Sequence, residues 1–284
     1  MKAYNLLTKK DKEFIVKSYY EFKNLTFKEI AVKLGVSERA FARVLKEENI
    51  NTRLKNRYTL NEGYFSDIDT ERKAYFLGLL CADGYVGDEH FNNISLSMKD
   101  KHIIYEFKDE IGFTGDIRIP VKNGGFESKS KLYCINFSSK KMCDDLRRLG
   151  VYTKKSLTFD SIPDIPKHLI RHFVRGYFDG DGSITISKST SYHNVGGVKK
   201  KYIYESYTMT IIGTEKIVND IAIEMGLNMY KIKDSKTVQM KYLWVNAKRE
   251  MLGIYNYLYN DATVYLTRKY NKWKLISEAL GGNS

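Results

Sequence analysis

The chain has 284 residues and a mass of 33.0 kDa, room for two domains, or three if one is small. With 43% hydrophobic and 29% charged residues, and no run near the roughly 18 apolar residues of a membrane span, it is neither a disordered chain nor an integral membrane protein. Its 47 Lys and Arg against 34 Asp and Glu leave a formal charge of +13, which points to a polyanionic partner.

Residues 1–60 hold 14 basic and 7 acidic residues, a net of +7. The first residues turn charged before any apolar leader core develops, so a cytoplasmic, nucleoid-associated protein of a bacterial or phage-infected cell is expected. Heavy Lys, Asn, Ile and Tyr usage also hints at an A/T-rich genome. The three cysteines (Cys81, Cys134, Cys143) contain no CxxC pair and argue against a disulfide framework or a thiolate zinc site.

From Lys9 to about Ile50 the pattern is helical throughout. Thr26 and Glu29 form a capping box for a helix whose Ile30, Ala31 and Leu34 share a face; Gly35-Val36 ends it. Ser37 caps a second helix, Glu38–Glu47, with an apolar stripe of Phe41, Val44 and Leu45 and with Arg39, Arg43 and Lys46 lying off it. Helix, glycine turn and basic helix make a helix-turn-helix pattern suited to a major groove. Arg53, Lys55 and Arg57 in the following linker add phosphate contacts, which completes a first domain over residues 1–58.

Beyond Asp69 helices alternate with strand pairs, and the pattern repeats. AYFLGLLCADGYV (74–86) superposes on HFVRGYFDGDGSI (172–184) at an offset of 98, matching Gly78 to Gly176, Asp83 to Asp181 and Gly84 to Gly182. Alternating strands at 94–98 and 207–211 lead into helices ending at Gly112 and Gly226, and strands at 131–137 and 241–245 lead into helices whose Met142 and Met251 match at an offset of 109. The second copy therefore carries about 11 extra residues, expected as a polar loop over 187–201. Half 1 spans 66–150, a linker with Pro163 and Pro166 spans 151–167, and half 2 spans 168–284. The expected fold is α+β, a pseudo-twofold pair of αββαββα halves with antiparallel sheets behind a small all-α domain.

Each copy ends in Asp-Gly. With Gly84 and Gly182 read as left-handed caps, Asp83 and Asp181 stand at helix C-termini, where carboxylate, free carbonyls and the macrodipole make a hard-oxygen cation site suited to magnesium. Small residues (Gly78, Ala82, Gly176, Gly180) would let the two helices pack closely along a pseudo-twofold axis. Two carboxylates and two or more ions at one spot are the equipment for attack of water on two phosphodiesters. Strand parity puts Arg118 and Lys122 opposite Ile117, Ile119 and Val121, and Lys231 and Lys233 opposite Ile232. Those basic faces are expected on DNA, with Lys131 and Lys241 opening the later strands and Lys188, Lys199, Lys200 and Lys201 reaching from the loop. Most of the 22 Tyr and 14 Phe read as core. The five histidines show no spacing of a histidine-metal nuclease.

The segments FLGLLCADG (76–84) and VRGYFDGDG (174–182) resemble the paired motifs of the LAGLIDADG homing endonucleases in their monomeric two-motif form. LGVYTKKS (149–156) and VYLTRKY (264–270) extend the likeness over about 66–280. The resemblance implies paired motif helices, two saddle-shaped sheets along DNA, double-strand cleavage with Mg2+ (Mn2+ substituting), and metal-binding acids at Asp83 and Asp181. It also implies a catalytic lysine in each half, Lys155 and Lys269, with Lys154 and Arg268 as close rivals. Cys81 departs from the family, which often has an acid there, as Asp179 does in half 2. A site-specific DNA endonuclease, intron-encoded or free-standing, is therefore the leading reading. A non-catalytic DNA-binding regulator and an intron RNA maturase are the alternatives; the ends of the chain disfavour an intein.

Overall fold

The computed structural model describes residues 1–23, 25–50, 52, 58–120, 131–153, 159–228, 232–235 and 240–281. They form two compact units, Met1–Asn61 with Lys108–Asp116, and Glu62–Phe107 with Ile117–Ser284.

The first unit contains α1 (Lys9–Glu21), α2 (Phe27–Lys33) and α3 (Glu38–Glu47). Thr8 with Asp11 and Thr26 with Glu29 close capping boxes on α1 and α2, and the Ser37 hydroxyl accepts from the Ala40 amide at the start of α3. Gly35 takes φ +66 in the turn between α2 and α3, a conformation that favours glycine. Ile15, Tyr19, Ile30, Ala31, Val36, Phe41, Val44 and Leu45 form one core, which leaves Arg39, Arg43 and Lys46 exposed. The unit also includes a piece of chain from beyond residue 58: the Asn61 amide donates to the Ile111 carbonyl at 2.7 Å, and the Thr114 amide to the Thr59 carbonyl at 3.0 Å.

The second unit is built on two helices, α4 (Glu71–Asp83) and α7 (Ile170–Asp181). Ala74 through Ala82 are all buried, as expected of a helix apolar on every face. Their packing depends on the absence of side chains at two glycines. A Cβ built on Gly78 would stand 2.0 Å from the Phe173 carbonyl oxygen, and one on Gly176 would stand 2.0 Å from the Tyr75 carbonyl oxygen. Residues 75 and 78 correspond to 173 and 176 at the sequence offset of 98, so the contact is its own image under a pseudo-twofold axis.

Each helix runs straight into an antiparallel sheet. β1 (Gly84–Val86), β2 (Asn93–Met98) and β3 (Tyr133–Ser138) follow α4, with α5 (Lys101–Glu110) and α6 (Lys140–Arg148) interleaved. β4 (Gly182–Val195), β5 (Val198–Gly213), β6 (Ile232–Asp234) and β7 (Lys241–Val245) follow α7 in the order β4-β5-β7-β6, with α8 (Glu215–Glu224) after β5 and α9 (Lys248–Tyr259) after β7. A last helix, α10 (Thr267–Ala279), lies outside the αββαββα pattern; its Trp273 and Ile276 are buried. The second sheet buries Ile184, Met209, Ile211, Leu243 and Val245 on one face and leaves Ser183, Thr185 and Thr210 on the other.

Three expectations are corrected. Gly84 and Gly182 are extended (φ −76 and −94), not left-handed caps. They are needed for close approach: a Cβ at Gly84 would lie 2.7 Å from the Leu80 carbonyl oxygen, and one at Gly182 would lie 2.4 Å from the Phe178 carbonyl oxygen. Residues 187–201 are not a loop but the outer part of a long β4–β5 hairpin, closed by Gly196 and Gly197 at φ +62 and +81. The strand read over 116–122 is reduced, among the described residues, to a bridge in which Arg118 and Cys134 exchange two 2.8 Å hydrogen bonds. That bridge occupies the place on β3 that β6 occupies on β7.

Gly78→Ala and Gly176→Ala are each expected to lower unfolding stability by about 3 kcal/mol, because the added methyl meets backbone that cannot rotate away. Gly253→Ala in α9 meets nothing within 4 Å and should raise stability by about 0.5–1 kcal/mol. Urea denaturation of the three variants checks both.

Candidate phosphodiester and nucleic-acid site

Asp83 and Asp181 are the last residues of the two central helices. The glycine contacts hold α4 and α7 close along their length, and at the Asp ends a Cβ on Gly180 would lie 2.2 Å from the Ala82 Cβ and 3.4 Å from Asp83 Oδ2. The two acids are therefore neighbours, with Asp83 exposed and Asp181 half-buried.

A buried polar scaffold fixes the Asp181 end. The Lys269 ammonium donates to the carbonyls of Phe178 (2.6 Å), Asp179 (2.7 Å) and Gly182 (2.6 Å). Three donors meet three acceptors, and a cation lies where the helix macrodipole is negative. Burial pushes the Lys269 pKa down to about 8; the charge of Asp179 resists this most strongly, and those of Asp83 and Asp181 resist it too. Asp179 is wholly buried and accepts from Tyr75 Oη (2.8 Å) and the Leu266 amide (2.8 Å); burial pushes its pKa up to about 6. It therefore ties α4, α7 and the segment before α10 together and does not stand beside Asp181 as a surface acid. One turn earlier, the fully buried Arg175 donates to Glu71 Oε1 (2.6 Å) and to the carbonyls of Leu258 (2.8 Å) and Val264 (2.9 Å). His172 Nδ1 lies 2.9 Å from Arg175 Nη1, and burial, reinforced by Arg175, lowers the imidazole to about 4, so it is neutral and accepts.

Two cavities open beside the acids. One of about 520 Å³ is lined by Asp83, Ser97, Met98, Lys99, Asp100, Leu132 and Arg268. The other, of about 220 Å³, is lined by Gly182, Ser183, Ile184, Arg268, Lys269 and Lys272. Arg268 lines both, and its Nε donates to Asp100 at 2.9 Å.

The exposed strand faces are rich in small hydroxyl and amide side chains. Tyr85, Ser95 and Asn136 lie in register across the first sheet, as do Ser183, Thr210 and Trp244 across the second. Lys233 sits on the same open face, its ammonium 3.7 Å from the Trp244 ring centre. Lys241 is half-buried and ion-paired with Asp234, and Lys131 and Arg118 are exposed. In the hairpin Lys188 pairs with Glu205 at 2.8 Å. Alternation separates the lysine run: Lys199 lies 5.2 Å over the Tyr192 ring and shares its face with Lys201, while Lys200 shares the opposite face with Tyr202 and Tyr204. On α3, Arg43 is held by Glu47 (3.3 Å) and lies 4.0 Å over the Tyr4 ring, whereas Arg39 and Lys46 extend from the helix surface. Arg53, Lys55, Arg57, Lys122, Lys154, Lys155 and Lys231 lie outside the described residues.

The second unit thus has two pseudo-symmetric halves, a helix pair whose acidic ends adjoin and an antiparallel sheet following each helix. Residues 174–280 match the family model described as LAGLIDADG endonuclease. The I-CpaMI LAGLIDADG meganuclease, solved bound to uncleaved DNA, aligns at a TM-score of 0.52 and 10% identity, covering 75% of this chain and 92% of that one. The fold is that of the LAGLIDADG endonucleases. The I-LtrWI LAGLIDADG homing endonuclease, solved bound to target DNA, aligns at 0.51 and 12% identity over 78% of this chain and 91% of that one. No curated protein sequence matches the chain. The family match covers part of the second half alone.

The sequence reading missed Arg175, Glu71 and Asp100. Arg175 carried a signal, a charge inside an otherwise apolar helix, which is found there only when paired. Lys269→Met should lower stability by about 3 kcal/mol by stranding three carbonyls, and Lys269→Arg should not restore it because a planar fork cannot satisfy a cradle built for one ammonium. Glu71→Gln, which leaves Arg175 buried without its counter-charge, should destabilise by about 3 kcal/mol. Chemical denaturation at neutral pH measures both.

Proposed function

We propose that this protein is a site-specific double-strand DNA endonuclease that hydrolyses one phosphodiester on each strand of a long asymmetric target with divalent metal ions. The observation that carries the reading is the meeting of Asp83 and Asp181 at adjoining helix ends, each beside a cavity with basic side chains, in a chain of net charge +13. Two active carboxylates, one per motif helix, give one acid for each strand. Because both come from a single chain, a monomer suffices.

Among the described residues, no group of three or more His, Cys, Asp or Glu side chains could hold a metal ion by itself. Two carboxylates completed by phosphate oxygens and water are nevertheless the hard-oxygen set that magnesium takes at nucleic-acid sites, so the residues fit the ion. Asp83 and Asp181 would hold it, and the bound ions would polarise phosphoryl oxygens and lower the pKa of water. The chain's own residues do the placing. Lys269 fixes the α7 end that presents Asp181, the interlocked helices set the spacing of the two acids, and the hydroxyl-rich strand faces offer donors and acceptors to base edges. Lys199, Lys200, Lys201, Lys188 and Lys233 supply phosphate contacts, and α3 adds DNA contacts through Arg39 and Lys46 as a helix-turn-helix.

Purified protein incubated with a randomised duplex library and magnesium should yield cut ends clustered at one long motif. Asp83→Asn/Asp181→Asn should abolish cutting while binding to the same duplex in calcium stays within about threefold, since the acids act on chemistry more than on affinity. Sequence-selective retention without cutting would favour the regulator instead, and preference for structured RNA would favour the maturase.

A further inference from the structure

We propose that Arg268 is the cation that grips the DNA phosphates between the cavity lined by Asp83 and the one lined by Gly182 and Ser183, and that Asp100 holds it in place until DNA arrives. This rests on the endonuclease reading above and names a residue for that site.

The assignment begins with the other cations at the site. Lys269, expected in this role, spends all three of its N–H donors on the carbonyls of Phe178, Asp179 and Gly182 and is 4% exposed. Lys272 donates to the Ile184 carbonyl at 3.0 Å. Arg268 alone lines both cavities, the one with Asp83 and the one with Ser183. Its side chain is 56% exposed, whereas that of Asp100 is 13% exposed. Among the described residues its hydrogen bonds run only from Nε to the two Asp100 carboxylate oxygens, at 2.9 and 3.2 Å. The Nη groups therefore remain available, and a guanidinium fork with free Nη donors matches two oxygens of a phosphate in a way an ammonium cannot.

Its position adds to this. Arg268 is the second residue of α10, whose N-cap Leu266 supplies no side-chain cap, so the positive end of that helix faces the same space. The Asp100 pair holds the guanidinium at the wall of the cavity that Asp83 also lines. The arrangement is one-sided: Asp100 precedes α5, and the residue in the matching place before α8 is Thr214, whose hydroxyl donates to the Phe159 carbonyl at 2.8 Å. A single arginine serving both cavities from half 2, with its latch in half 1, would bear on the phosphates linking the two cut positions.

The test measures binding of the full chain to a fixed duplex in calcium across a salt series. Arg268→Ala should reduce the slope of log affinity against log salt by about one and weaken binding about tenfold, as expected for one lost bidentate phosphate contact. Arg268→Lys should keep the slope but recover only part of the affinity. Lys216→Ala, which removes another exposed, ion-paired cation, 2.9 Å from Asp160, should leave the slope unchanged. An unchanged slope in Arg268→Ala, or an equal fall in Lys216→Ala, would overturn the assignment. Wild-type protein that binds duplex but never cuts it with magnesium would remove the endonuclease reading and leave the slope comparison to decide the role of Arg268. Failure of the wild type to bind DNA would overturn both.

Discussion

Everything at the site depends on how closely two helix backbones approach. Gly78 and Gly176 each admit a carbonyl oxygen of the opposite helix into the space a side chain would fill, and the same interlock continues to Gly180 and Ala82 at the acidic ends. Close packing of this kind admits few alternatives, since side-chain rotation cannot relieve a clash between backbones. The separation of Asp83 from Asp181 is thus set by small, uncharged residues of the helix interface.

The two halves share this geometry but not its support. At the positions of Arg175 and Asp179, half 1 has Leu77 and Cys81, so the buried ionic scaffold belongs to α7 alone. Buried charges add little net stability when paired, but they specify a single arrangement because any other leaves them unsatisfied. Here Arg175 and Asp179 together fix Glu71 and Tyr75 of α4, the carbonyls of Leu258 and Val264, and the Leu266 amide. The C-terminal segment that delivers Arg268 and Lys269 is in this way anchored to the helix carrying Asp181.

Much of this was legible in the sequence, for a physical reason. Periodicity and spacing are local, so the repeat at offset 98, the strand at 241–245, the helix at 38–47 and the glycines at the helix interface could all be read from them. What a residue touches across the fold is not local. Asp-Gly read as a left-handed cap because glycine most often serves that purpose, yet both glycines are extended and yield space to the preceding turn. A polar, glycine-containing stretch read as a loop, yet two adjacent glycines at positive φ are also the tight turn of a hairpin whose outer strands need no apolar face. Lys269 read as a catalytic lysine, and only the fold shows its three carbonyl partners.

The most direct test of the central claim moves one methyl group across the helix interface. Gly180→Ala should keep duplex affinity in calcium while cleavage with magnesium falls about 100-fold, as expected for reacting groups displaced by about 1 Å. Adding Ala82→Gly, which removes the opposing methyl, should restore most of the rate. Full activity in Gly180→Ala, or no recovery in the paired exchange, would contradict the claim that the spacing of the two acids is set by this contact.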